Sequence, residues 1–270
     1  MMNTRTRFVL TVFAAMAGFV LAGTSANATL SDNLVEYWDL DGNYDAFVDA
    51  THDGTQTGDG TFVGGKFGQA IDLESSDGTQ SFITVGGDEN DFDFNGSDMT
   101  VSLWYTTEDL YTQWQALIAK AEGGAVRLAR NSNSGNLIKF DVVGPITDGH
   151  LNDPGWHHVV ATVESGVEVT LWVDGALAAT GGGGHVLPNT PTPLLIGGNP
   201  QSPTTRAWDG MIDDVAFWDR VLTDDEIGDI WNDGDGASIG SLTSVIPEPT
   251  TAALGLLGVA GLVMRRRKVA

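Results

Sequence analysis

The chain has 270 residues, no cysteine, and 36 acidic against 13 basic side chains, a formal net charge of −23. Nucleic acid and anionic membrane surfaces are disfavoured as partners, because binding phosphate needs clustered lysine and arginine. With no disulfide available, stability must come from core burial, for which the eight tryptophans supply bulky apolar surface.

Arg5 and Arg7 precede the apolar run 8–22, and Ala26-Asn27-Ala28 offers a small-residue cleavage site. That layout predicts a secretory signal peptide over residues 1–28. Trimmed of this segment and of the C-terminal tail described below, the chain keeps seven basic and 35 acidic side chains, a body near −28. Such a surface serves solubility, or tolerance of salt and divalent cations, more often than recognition.

The body reads as many short strands. Leu34–Leu40 is the first, followed by the acidic, turn-rich sequence DGNYD. Alternating runs recur at Lys66–Leu73, Ser81–Val85, Met99–Tyr105, Ala116–Lys120, Val126–Ala129 and Leu137–Val142, separated by Gly, Asn and Asp turns. From Trp156 to Thr180 the pattern is strongest: Val159, Ala161 and Val163, then Val167, Val169, Leu171 and Val173, alternate with polar residues. Ser165-Gly166 and Asp174-Gly175 are turn pairs, so this stretch predicts a three-stranded antiparallel meander. The proline-bearing stretch 188–203 reads as loop, and Gly210–Asp219 as a last strand. Thr223 and Glu226 have the spacing of a capping box, ahead of a short helix with Ile227, Ile230 and Trp231 on one face. Residues 234–245 read as a linker. The whole predicts an all-β sandwich of two antiparallel sheets with one short C-terminal helix.

At the C-terminus Ile246-Pro247-Glu248-Pro249 precedes an apolar run, 250–264, and then Arg265-Arg266-Arg267-Lys268. The run is short for a spanning helix, and the basic cluster would be held on the cytoplasmic side. Residues 246–270 closely resemble a PEP-CTERM sorting signal. That resemblance implies processing by an exosortase-type membrane enzyme and delivery to the cell surface or extracellular matrix of a Gram-negative bacterium.

Within the body a second resemblance accumulates. It is carried by Tyr37-Trp38-Asp39-Leu40, Gly65-Lys66-Phe67-Gly68-Gln69-Ala70, Met99-Thr100-Val101-Ser102-Leu103-Trp104 and Trp156-His157-His158-Val159. Further on come Trp172-Val173-Asp174-Gly175, Ile196-Gly197-Gly198, Gly210-Met211-Ile212-Asp213-Asp214-Val215 and Leu222-Thr223-Asp224-Asp225-Glu226-Ile227. In this order they resemble the laminin G-like domains of the concanavalin A-like jelly-roll class, over residues 29–233. The resemblance implies a sandwich used for recognition of carbohydrate or a surface protein. A structural matrix protein without a specific ligand is the alternative.

The same resemblance implies a Ca²⁺ between the first-strand loop and the last strand. Asp39, Asp41, Asn43 and Asp45 alternate in a glycine-containing loop and offer hard oxygen ligands. The loop departs from an EF-hand, with glycine at the fourth place and Ala50 where a bidentate glutamate is required. Asp213 shares parity with Val215 and Phe217 and is expected to point inward, where a carboxylate needs a partner. The candidate ligands are Asp39, Asp41, Asp49 and Asp213; backbone N–H groups would satisfy Asp213 equally well.

Enzymatic readings are weaker, and the expectation is a non-enzyme. A jelly-roll glycosidase needs two carboxylates about 5 to 9 Å apart on one strand face, whereas Glu36 and Asp39 fall on opposite faces and the second glutamate of the glucanase pattern is missing. Gly236-Ala237-Ser238-Ile239-Gly240 spells a nucleophile-elbow string, but follows a helix instead of a strand. His157 and His158 are adjacent on a strand and point apart, so they cannot chelate one ion together. Tyr111, Trp114 and Trp208 are candidate ligand contacts, since exposed aromatics stack on sugar rings.

Overall fold

The structure, a computed structural model, describes residues 29–75, 80–108, 112–131, 137–141, 146–148, 154–181 and 183–243. The predicted signal peptide and sorting signal lie outside these residues, and among the described residues no helix is long and apolar enough to cross a membrane.

Two antiparallel sheets form the body. The first contains β1 (Leu34–Trp38), β3 (Thr61–Gly64), β4 (Gln69–Leu73), β6 (Met99–Tyr105), β11 (His157–Glu164), β12 (Glu168–Val173), β13 (Ala176–Gly181) and β15 (Gly210–Trp218). Its order is β13-β12-β11-β6-β15-β4-β3, with β1 also on β15. The second contains β2 (Gly54–Thr57), β5 (Phe82–Val85), β7 (Ala116–Ala119), β8 (Arg127–Arg130), β9 (Ile138–Phe140), β10 (Ile146–Asp148) and β14 (Leu195–Ile196), ordered β10-β9-β8-β7-β14-β5-β2.

The predicted meander is β11 to β13. Asp174 and Gly175 both have positive φ, the requirement of the tight hairpin turn whose twist matches that of the strands it joins. Val167 falls in the preceding turn and is exposed, so the apolar alternation starts at Val169. The inner faces meet in one core, built from Val101, Leu103, Val159, Ala161, Leu171 and Phe217 on one side and Ile83, Ile118, Leu128, Ile138, Phe140 and Ile196 on the other. Each Val, Leu, Ile or Phe among them contributes roughly 1.5–3 kcal/mol by leaving water.

Four elements differ from expectation. Leu195–Ile196, read as part of a loop, is a central strand hydrogen-bonded to β5 and β7. It is too short to show a period, and its neighbours decide its state. The polar strands β2 and β3 pair with β5 and β4. The 234–245 segment holds α2 (Ile239–Thr243), with Ile239 fully buried.

The outer faces of the two sheets differ. On the first sheet α1 (Asp224–Trp231), α2 and the N-terminal turn cover the strands, burying Tyr37, Val160, Ala216 and Trp218 against Leu30, Leu222, Ile227, Ile230 and Ile239. Thr223 and Glu226 form the expected capping box of α1. On the second sheet Ala116, Ala119 and Ala129 make a separate cluster of small side chains.

Candidate ligand-binding site

The acidic residues expected to share an ion go separate ways. Asp39 Oδ1 accepts the N–H of Asp41 at 3.1 Å, Asp41 accepts the N–H of Gln69, and Asp49 Oδ1 accepts the N–H of Thr51 at 2.9 Å, capping a 3-10 turn. Among the described residues the three acidic groups with oxygens within 4.8 Å of one another are Glu74, Glu108 and Asp209. Asp39, Asp41, Asp49 and Asp213 do not form such a group among the described residues. Glu36 is fully buried and accepts from the N–H groups of Val48, at 2.6 Å, and Asp49, at 3.0 Å, with His52 Nδ1 at 2.9 Å.

Asp213 does not point into the core, because a bulge interrupts β15. Its register against β6 shifts between Asp213 and Ala216, and Asp214 has φ 51°. Ile212 stands opposite Tyr105 on the inner face, so Asp213, opposite Trp104, lies on the helix-covered face. At the bulge the other edge of β15 passes from β4 to β1. Asp213 Oδ2 accepts the N–H of Phe67 at 2.9 Å, in the β3–β4 turn, while Oδ1 finds no hydrogen-bond partner among the described residues. Burial pushes this carboxyl up to about 8. Asp214 accepts the Tyr37 hydroxyl at 2.5 Å and the N–H of Ile239 at 2.8 Å, and burial raises it to about 7. Ser238 Oγ donates to the same carboxylate at 3.2 Å, so the G-x-S-x-G string serves to attach α2 and its serine has no histidine partner.

The histidines face apart, as adjacent strand residues must. His157 Nδ1 meets Asp174 at 2.8 Å and its ring lies 5.6 Å from Tyr105. His158 stacks at 4.8 Å on Trp104 beneath Trp231, and burial holds it neutral, pushed down to about 3.

Of the three aromatic candidates, Tyr111 lies outside the described residues. Trp208 corrects its reading as a ligand contact: it is fully buried, edge-on to Tyr105, and donates Nε1–H to Thr106 O at 2.9 Å. No face of this ring is open to a sugar. Trp114 is different. It is half-buried, and its backbone has φ 68°, a conformation that bulky residues rarely adopt.

Three cations surround that indole. Lys139 Nζ is 4.2 Å from the ring centroid, and the guanidinium carbons of Arg127 and Arg206 are at 5.6 and 6.0 Å. Strand parity places Arg127, Ala129 and Lys139 on the outer face of the second sheet, because Leu128, Ile138 and Phe140 occupy the inner one. Two carboxylates hold the cations. Glu122 pairs with Arg127 at 3.0 Å and with Arg206, and accepts Asn199 Nδ2–H at 2.9 Å; Asp141 pairs with Arg127 and, at 3.3 Å, with Lys139. Sequence reading missed this cluster. The signal was present as non-core residues at alternate places, Arg127 and Ala129 in one strand and the charged Lys139 and Asp141 along the next. Only the pairing of β8 with β9 brings them to one indole. A cleft on the first sheet is lined by Thr162, Thr170, Trp172, Glu164, Glu168 and Asp224, and its charged lining groups are all acidic.

Comparison with known proteins fits this architecture. Residues 77–228 match the model of the concanavalin A-like lectin/glucanases superfamily. None of the curated proteins matches. Among solved structures, domain 4 of AbnA, a GH43 extracellular arabinanase from Geobacillus stearothermophilus in complex with arabinotriose, superposes with a TM-score of 0.58 at 17% identity, covering 76% of this chain and 98% of that one. The binding domain of Paraclostridial Mosquitocidal Protein 1 gives 0.57 at 16%, covering 75% and 52%. The binding domain of Botulinum neurotoxin DC in complex with SialylT gives 0.58 at 13%, covering 76% and 52%. The chain spans about half the length of the two toxin domains, and at these identities the likeness is one of fold. A jelly-roll of two antiparallel sheets, matched by the family model over more than half of its sequence, makes the chain a member of the concanavalin A-like lectin/glucanase superfamily.

Proposed function

We propose that the protein is an exported, non-catalytic glycan-binding module that works at the cell surface or in the extracellular matrix, and that sugar docks on the outer face of the second sheet against Trp114. The observation that carries this reading is a half-buried indole held at positive φ and ringed by charged groups, on the sheet face that also carries the alanine cluster. Backbone strain of this kind, of order 1–3 kcal/mol, persists where the surroundings enforce it, and it concentrates at ligand clamps. The flat ring suits the C–H face of a pyranose or furanose, and the partly exposed Arg206 beside it, with the Glu122 it pairs with, suits hydroxyl groups. Arabinotriose on AbnA domain 4 is in keeping with sugar recognition on this fold. A non-catalytic role is favoured because Glu36 is committed to backbone N–H groups and Asp214 to Tyr37 and Ile239. Export rests on the residue 1–28 and 246–270 segments, with an exosortase-type enzyme as the processing partner.

The test is affinity electrophoresis of the purified protein through gels containing single polysaccharides. Retarded migration by at least one, abolished by Trp114→Ala with an unchanged melting temperature, is the expected result. Unretarded migration through every polymer would favour a purely structural matrix protein.

A further inference from the structure

Resting on the glycan-binding reading, we infer that the ligand is an anionic polysaccharide, whose carboxylate or sulfate groups are read by Arg206, Lys139 and Arg127 while a sugar ring packs on Trp114.

The first support is where the positive charge sits. Between residues 29 and 245 there are seven basic side chains: Lys66, Lys120, Arg127, Arg130, Lys139, Arg206 and Arg220. Three of them converge on one half-buried indole, in a chain whose net charge is −23. Among the described residues Glu122 and Asp141 face them in ion pairs, two negative groups against three positive ones, while the chain as a whole is strongly negative. A neutral sugar would not need that. An anionic one would, because the field of the whole molecule opposes its approach until a local cation cluster takes over at short range.

The second support is unused hydrogen-bonding capacity. Arg127 is 4% exposed, yet its Nε has no acceptor among the described residues. A buried guanidinium donor without a partner is costly, and an incoming oxyanion is the group that would relieve it. Arg206 directs only Nη1 to Glu122, and its side chain is 25% exposed, which leaves the rest of the guanidinium open to the surface. Among the described residues Lys139 Nζ makes one ion-pair contact, to Asp141. The carboxylates fix the cations in place without saturating them, which is the preorganisation an anion site requires. The cleft at Trp172 offers the opposite arrangement, with Glu164, Glu168 and Asp224 at its walls. It serves as the internal control.

The experiment measures retention of the full protein, in 150 mM salt, by pairs of polymers that differ only in charge: polygalacturonate against its methyl ester, and dextran sulfate against dextran. We expect retention by at least one charged member and at least tenfold weaker retention by its neutral counterpart. Retention by polygalacturonate alone identifies a carboxylated ligand and supports the inference; retention by dextran sulfate alone identifies a sulfated one and supports it too. Arg206→Gln, at a quarter-exposed position, should keep the wild-type melting temperature and weaken retention roughly tenfold, the loss of one charge-assisted pair. Trp114→Ala should abolish retention, and Trp172→Ala should leave it unchanged. Equal retention of charged and neutral members would overturn the inference and leave the glycan-binding reading standing. Failure of the wild type to bind any polymer would overturn both. Binding that survives Arg206→Gln and Trp114→Ala but is lost in Trp172→Ala would also overturn it.

Discussion

Trp114 and Trp208 are both tryptophans in turn-rich sequence, and physical context separates them. Trp208 fills the core, and Trp208→Ala should cost roughly 3–5 kcal/mol and lower the melting temperature accordingly. Trp114 sits at φ 68°, where glycine is at ease. Trp114→Gly should therefore lie within about 1 kcal/mol of the wild type while glycan retention disappears. Equal losses of stability in the two variants would contradict the assignment. Asp213 supplies a second test. Its carboxyl, raised to about 8 by burial, binds more protons in the native state than in the unfolded chain, where the value is about 3.9. Its contribution to stability therefore falls as pH climbs from about 4 to about 8, by an amount of order a few kcal/mol, and is flat above that. Asp213→Asn keeps an oxygen for the Phe67 N–H and does not titrate. Denaturation of both proteins across pH 4–9 should show the variant gaining on the wild type with rising pH. A difference independent of pH would remove the buried-acid account.

At the scale of elements, the C-terminal helix α2 shows how a polar, glycine-rich stretch acquires structure. Residues 232–238 have a composition that suits a linker, yet Asp214 holds Ile239 N–H and Ser238, and Ile239 enters the apolar cluster beneath α1. Ile239→Ala should cost roughly 2–4 kcal/mol, and amide exchange should speed up in 237–243 ahead of the sheets. If the global melting temperature and local exchange are both unmoved, α2 is an accessory and not part of the fold. The same comparison shows which elements could be read in advance. Met99–Tyr105, the β11–β13 meander and the Thr223–Glu226 cap were legible because alternation, turn pairs and capping chemistry all act within a few residues. Leu195–Ile196 and the strands β2 and β3 were not, since each is a strand by virtue of the neighbour that completes its hydrogen bonds.

For the molecule as a whole, charge is the dominant long-range quantity. With 36 acidic and 13 basic side chains, the native state is under self-repulsion. Raising ionic strength from about 0.01 M to about 0.15 M shortens the Debye length from about 30 Å to about 8 Å. The melting temperature should rise by several degrees over that interval. A constant or falling melting temperature would mean that local ion pairs outweigh the net field. What the chain's own residue pattern settled was the fold: strand periods, turn residues and one capping box suffice for two antiparallel sheets, because those signals are local and repeated. What tertiary structure alone decided was the site. The bulge at Asp213–Asp214 reverses the face that parity assigns to Asp213, and strand pairing gathers Trp114, Arg127, Lys139 and Arg206 from four separate places in the chain. Contacts between residues far apart in sequence leave no periodic trace along it, so a binding face of this kind appears only once the sheets have closed.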